Sequence, residues 1–295
     1  MTTNLQKTLA SGAFVMTAEI TPPLSTRPAD LLERSKPLQG LADAVNVTDG
    51  AAARAHIDSV VAASLLLQSG VEPILQLTCR DRNRIALQSS LVGAAALGIE
   101  NVLFLTGDDP KQGDQPDAKP VFDLDSSALA ATAMKIRDEG QLPHGRKVIG
   151  EAPFFIGLTD VPVDPKPGWE PKSLLRKMDA GAQFIQTQFC MDVPVAKRYM
   201  ARLAEHGVKV PFLLGVAPLA SGKSARWIKE KLFGTIIPEW VVERMEAASD
   251  PKAEGVAICV DICNELRETP GIAGVHIMAP LNEASIPAVI TALRR

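Results

Sequence analysis

No two cysteines of this chain are spaced as CxxC; the four, at 79, 190, 259 and 263, are scattered. A disulfide framework and a thiolate zinc site both need closer grouping. Cys259 and Cys263 lie four apart in a helical stretch and share a face, but two thiols do not make a metal site. Buried thiols of a reduced compartment are the expectation. The four histidines, His56, His144, His206 and His276, are dispersed as well, so no metal triad shows and no metal is expected.

A basic excess is also missing. The formal net charge is −3, which argues against a nucleic-acid surface but leaves room for a local basic pocket. No segment approaches the ~20 apolar residues that span a bilayer. The first residues, MTTNLQKTLASGAFVM, have neither a basic start nor a long apolar core, so neither a membrane nor a secretory route is expected and the cytoplasm is the default. There is no GxSxG elbow, no P-loop, no low-complexity tract and no linker.

What remains is a regular alternation. Short apolar runs recur at 15–20, 44–49, 73–78, 101–106, 148–153, 182–188, 211–217 and 274–279. Nearly continuous apolar runs suit parallel strands buried on both sides. Helical patterns occupy 53–69, 81–97, 126–139, 172–180, 193–205, 224–232 and 284–293, many with Ser or Asp starts and Gly stops. Eight strand–helix units over 295 residues predict an α/β chain, a single (β/α)8 TIM barrel over 1–295, with extra helices at 238–248 and 255–268 between strands seven and eight. A doubly wound sheet is the runner-up, but it usually carries GxGxxG after the first strand, and none is present. Long loops at 109–119 and 154–170 follow strands, on the face where barrel sites form.

Candidate residues sit at the strand ends. Glu19 closes the first strand, where partial burial suits a general acid; it also reads as a strand-end ion pair. Asp108 ends FLTGDD after Gly107, which permits close backbone approach to a planar ligand; it equally reads as a turn aspartate, and Asp109 competes for the role. Gln188 ends QTQF, with an amide able to donate and accept, or to be satisfied within the barrel mouth. Arg176 and Lys177 could neutralise a pyrophosphate or form an ordinary solvated face. In TCRDRN, Asp81 is a candidate helix cap and Arg80 and Arg82 could meet a phosphate or a carboxylate tail.

The pieces AEITPP (18–23), VNVTDGA (45–51), LQLTCRDRN (75–83), FLTGDDP (104–110), RKMDAGAQFIQTQF (176–189), PFLLGVAPLAS (211–221), IPEW (237–240) and PLNEA (280–284) run in order through all the expected strands. Together they resemble the methylenetetrahydrofolate reductase family. TCRDRN, TGDDP and VFDLDS (121–126) are similar to a bacterial subgroup, in its short catalytic-barrel form.

The resemblance implies an FAD-dependent oxidoreductase of one-carbon metabolism that reduces 5,10-methylenetetrahydrofolate to 5-methyltetrahydrofolate. Hydride would pass from NADH or NADPH to the flavin and then, in ping-pong order, to the folate. It implies Glu19 as the general acid, Asp108 beside the flavin, and Gln188 on the folate. Thr48, Gln76, Leu105, Thr106 and Gly107 match flavin-contacting positions, and Phe122 and Asp123 match the chain that covers the flavin. Glu170, Arg176 and Lys177 match positions near the dinucleotide and its phosphates. A homo-oligomer is implied too. Four departures accompany these matches: EITPP lacks an aromatic, Gln76 replaces a histidine, Thr106 an arginine, and Gly222 the aromatic that helps clamp nicotinamide and folate. The last leaves open a catalytic subunit fed electrons by a partner protein, and operation in the methyl-oxidising direction is a further alternative. A folate- or flavin-binding protein without turnover is the remaining one.

Overall fold

A computed structural model describes residues 2–280 and 282–295. Among these residues eight parallel strands close in sequence order into a barrel: β1 (Val15–Ile20), β2 (Ala44–Val47), β3 (Pro73–Thr78), β4 (Asn101–Leu105), β5 (Phe155–Asp160), β6 (Phe184–Phe189), β7 (Phe212–Val216) and β8 (Ile272–Ile277). Helix α1 (Asn4–Ala10) precedes β1, α2 (Pro28–Ser35) follows it, and α3 (Ser59–Gln68), α4 (Arg84–Ala96) and α5 (Ser126–Glu139) follow β2, β3 and β4. After β5, β6 and β7 come α6 (Lys172–Asp179), α7 (Val193–Glu205) and α8 (Gly222–Lys231). The extra helices α9 (Glu239–Ala247) and α10 (Pro251–Arg267) precede β8, and α11 (Ile286–Leu293) closes the ring. Of the PLNEA stretch, Leu281 lies outside the described residues.

Strand periodicity divides the side chains between two cores. Ala18, Ile20, Val45, Val47, Leu75 and Leu77 point outward into the large cluster shared with the helices. Their alternates point inward, as a period of two requires. Local chemistry sets the helix ends. Asp125 Oδ1 accepts from Ala128 N–H at 2.7 Å, and Gly140 ends α5 in the left-handed region at φ +61°. Among the described residues no helix is long and apolar enough to cross a membrane.

Four expectations are corrected. The fifth strand is Phe155–Asp160 and not 148–153. Residues 140–148 fold on themselves, with Val148 N–H donating to Gly140 O at 2.8 Å, and Ile149 is fully exposed. Pro153 has no N–H for a ladder, so pairing with β4 begins at Asn101↔Phe155. The loop after this strand is accordingly shorter than 154–170. Helix α4 is capped by Asn83, which accepts from Ile85 N–H and Ala86 N–H at 3.1 Å each, while Asp81 pairs with Arg80. Helix α3 starts at Ser59 under an Asp58 cap, because Ala52 and Ala53 before it adopt positive φ.

Candidate active site

The barrel interior is built in tiers. At the floor, Val15, Ala44, Ile74, Leu103, Phe155, Phe184 and Leu213 form a separate apolar cluster, closed from below by Leu5 of α1. Phe155 and Phe184 stack with centroids 5.0 Å apart. Gly157 makes room for them, since a Cβ there would lie 2.3 Å from the Phe184 ring.

Two residues further along the strands the interior turns polar. Asn46 and Gln186 exchange amide hydrogen bonds at 2.6 and 3.0 Å. Gln186 Nε2 also donates to Thr17 Oγ1 at 3.2 Å, and Thr17 Oγ1 lies 3.0 Å from His276 Nδ1. Thr17 Oγ1 also donates to Val275 O at 3.4 Å, and the other ring nitrogen of His276, Nε2, faces Glu19 Oε2 at 3.6 Å. Gln76 Nε2 donates to the same carboxylate oxygen at 2.9 Å. Glu19 therefore stands on a satisfied polar tier, its side chain 22% exposed over a His276 that is 3% exposed. Buried polar groups survive in a core when each finds partners, and a complete network holds a unique geometry.

The rim above carries the other expected residues. Thr48 is buried, and its Oγ1 has no hydrogen-bond partner among the described residues. Leu105 is half-buried, and Thr106 and Asp108 are exposed. Gly107 sits at φ +99°, with its would-be Cβ 2.8 Å from Arg80 Cβ, so the β4 end presses on the β3 loop. That loop is anchored by buried Asp49, which accepts from Thr78 N–H at 2.8 Å and from both terminal nitrogens of Arg82. The β4 loop folds back over it through Val121 N–H to Arg80 O at 2.7 Å and Phe122 N–H to Cys79 O at 3.2 Å. Phe122 adopts φ +43° and is partly exposed. Asp123 receives the Arg84 backbone and guanidinium, which hold its carboxyl down at about 2.

Gln188 is turned to the rim: its Oε1 accepts from Phe189 N–H at 3.1 Å and its Nε2 donates to Phe233 O at 3.3 Å. Among the described residues no hydrogen bond joins Glu19 to Asp108 or to Gln188. Of the residues named from the sequence, Glu19 and Gln76 are in direct contact, and Thr17, Asn46, Gln186 and His276 were missed as site residues. For Thr17, Asn46 and Gln186 the signal was a polar residue inside an apolar run, two positions before Glu19, Thr48 and Gln188; His276 on β8 carried none.

Glu170 and Lys177 line a second place, a pocket of about 280 Å³ with Asp160, Trp169, Leu174 and Tyr199. Lys177 Nζ donates to Thr159 O at 2.5 Å and lies 3.9 Å from Asp160. Burial pushes its ammonium down from the usual lysine range, and Asp160 pulls it back. The Tyr199 hydroxyl donates to Asp160, and burial raises its pKa. Arg176 is exposed on α6 and does not line this pocket. All four cysteines are buried and free; burial raises the Cys79 and Cys190 thiols to about 12 each.

The family model of methylenetetrahydrofolate reductase matches residues 4–294. A Caenorhabditis elegans protein named probable methylenetetrahydrofolate reductase (NADPH) is 26% identical over 249 residues, covering 81% of this chain and 35% of the relative. The Escherichia coli 5,10-methylenetetrahydrofolate reductase is 25% identical over 231 residues, covering 76% of this chain and 70% of that one. The chain spans about a third of the length of the C. elegans relative. An uncharacterized protein from Clostridium thermocellum, described as binding two copies of 5-methyl-5,6,7,8-tetrahydrofolic acid, shares the fold with a TM-score of 0.69. It is 16% identical, and the match covers 98% of each chain.

Proposed function

The chain belongs to the methylenetetrahydrofolate reductase family, and from that premise we propose that it reduces 5,10-methylenetetrahydrofolate to 5-methyltetrahydrofolate with FAD as cofactor and Glu19 as the general acid. The observation that carries this is Glu19 itself. It is a carboxyl at a barrel-strand end, held on one oxygen by Gln76 and faced by His276, and open to the mouth. A general acid needs this combination of fixed position and access.

The residues fit a flavin. Thr48 Oγ1 is buried without a partner at the rim, and a ring nitrogen or carbonyl would satisfy it. Thr48, Gln76, Leu105, Thr106, Gly107, Asp108 and Phe122 would hold the ring. Glu170 and Lys177 would hold the dinucleotide end, with Arg176 adding charge from the exposed side of α6. Asp123 acts through Arg84, fixing the segment that carries Phe122. When bound, the flavin would supply hydride-transfer chemistry between NADH or NADPH and the folate. Glu19 donates its proton to a folate nitrogen as the methylene bridge opens. Gln188 orients the pterin edge, releasing Phe233 O to do so. That a protein of this fold binds 5-methyltetrahydrofolate supports the substrate class.

One observation favours a second reading. Gly222, where an aromatic clamp was expected from the resemblance, has no room for any side chain: a Cβ there would lie 2.5 Å from Glu246 Cγ. Helix α9 has taken the space. A catalytic subunit that receives electrons from a partner protein, or one that oxidises methyltetrahydrofolate, needs no nicotinamide clamp. Anaerobic mixing of the purified protein with NADH, NADPH and methyltetrahydrofolate, followed by flavin absorbance, separates the readings. Fast bleaching by a nucleotide supports the first; bleaching by methyltetrahydrofolate alone supports the second. A protein that takes up no flavin contradicts both. We expect a cytoplasmic homo-oligomer, to be tested by fractionation and by light scattering.

A further inference from the structure

The end of β1 is held from behind by a carboxylate that the proposed chemistry does not use. Glu283 lies in the turn between β8 and α11. Its Oε1 accepts from Thr21 N–H at 2.8 Å, two residues beyond Glu19. Arg34 of α2 completes the clamp, donating from Nη1 to Thr21 O at 3.1 Å and lying 3.9 Å from Glu283 Oε2. The Thr21 peptide is thus gripped on both its N–H and its C=O. Glu33, Arg34 and Glu283 also line a cavity of about 330 Å³ with Ile20 and Leu38, so this grip is not filled in by packing alone. The turn is anchored in its own right, with Asn282 Nδ2 donating to Pro218 O at 3.0 Å and Ser285 Oγ to Asn282 Oδ1 at 2.9 Å.

We infer that Glu283 is a positioning residue for Glu19: it fixes where β1 ends. This rests on the reading of Glu19 as the proton donor. Burial is the main influence raising the Glu283 carboxyl above the usual range; Thr21 N–H and Arg34 oppose it, and the nearby Glu19 adds to it. The charges facing Glu283 are Arg34 and Glu33 from α2 and Glu19 from β1. What Glu283 supplies is geometry, through the hold that it and Arg34 keep on Thr21.

The test uses Glu283→Ala and Glu283→Gln in the flavin-loaded protein, with Glu19→Gln beside them. Glu283→Ala should lower kcat for folate reduction about ten- to a hundredfold, the range a small displacement of a catalytic group produces. The KM for folate and the rate of flavin reduction by nucleotide should hardly move. Glu283→Gln keeps an oxygen for Thr21 N–H and should recover most of kcat. Wild-type kcat in both variants would overturn the inference, as would equal loss in both. If Glu283→Ala does not fold, Arg34→Ala, which releases Thr21 O, decides by the same kcat and KM readings. An active Glu19→Gln removes the acid role and the positioning role with it; an inactive one beside unaffected Glu283 variants removes only the latter.

Discussion

The two ends of the barrel interior are made from the same strands and do opposite work. At the floor the inward residues of β1, β2, β5 and β6 are Val15, Ala44, Phe155 and Phe184, sealed by Leu5. Two steps on, β1, β2 and β6 present Thr17, Asn46 and Gln186, and at the mouth β1 and β6 present Glu19 and Gln188. The floor contributes to stability through apolar burial, which is non-directional and tolerant of exchange. The polar tier depends on partners in fixed geometry, so a change there is felt in the orientation of Glu19 before it is felt in folding. The proposed chemistry sits where the barrel has exchanged burial for orientation.

Substitutions at the two ends sharpen this contrast. At the mouth, Glu19→Gln should reduce turnover of methylenetetrahydrofolate about 10²- to 10⁴-fold, the usual size of a general-acid contribution. Its denaturation midpoint should stay near wild type. Steady-state kinetics and urea melts on one preparation check both halves. At the floor, Phe184→Ala should cost about 3–5 kcal/mol of stability, since it empties a stacked, fully buried site. Its activity per folded molecule should change far less, which denaturant titration with activity normalised to the folded fraction reads.

Between the two, Gln186→Leu leaves the Asn46 amide and the Thr17 hydroxyl short of partners. The expected loss is about 1–3 kcal/mol, together with a fall in kcat that Phe184→Ala does not show per folded molecule. Equal kinetic loss in both variants would erase the distinction between the tiers. Away from both ends, Asp125→Ala removes the α5 cap and should cost about 1 kcal/mol, visible in a thermal melt and without kinetic effect. A smaller, pH-dependent effect belongs to Asp123. Its folded-state pKa is depressed to about 2 by Arg84, so its stabilisation is present above the unfolded value of about 3.9. It is lost as pH falls through about 2, and Asp123→Asn should flatten the acid limb of stability in that window.

Much of this was legible in order rather than in place. Eight apolar runs announce a closed parallel barrel, and seven of them fall on the observed strands. The fifth was misplaced because VIGEAP has the composition of a strand, while its Gly150 at φ +97° and its Pro153 do not let it join the ladder. Helices α1 and α2 went unread; the signal for α1 was its Thr3–Gln6 capping box, and α2 has no side-chain cap to announce it. At the site, Glu19 and Gln76 could be named because their motifs stand out along the chain. His276 could not. It meets Thr17 only through the β1–β8 register, across a sequence separation of 259, and that pairing exists only once the barrel closes. The grip of Glu283 on Thr21 was hidden for the same reason.

The decisive measurement is anaerobic stopped-flow absorbance of wild type and Glu19→Gln, first with NADH or NADPH and then with 5,10-methylenetetrahydrofolate. Both proteins should bleach with a nucleotide, and only the wild type should regain its flavin colour rapidly when the folate is added. Recovery of Glu19→Gln at the wild-type rate would contradict the role given to the carboxylate at the end of β1, and with it the reading of the barrel mouth.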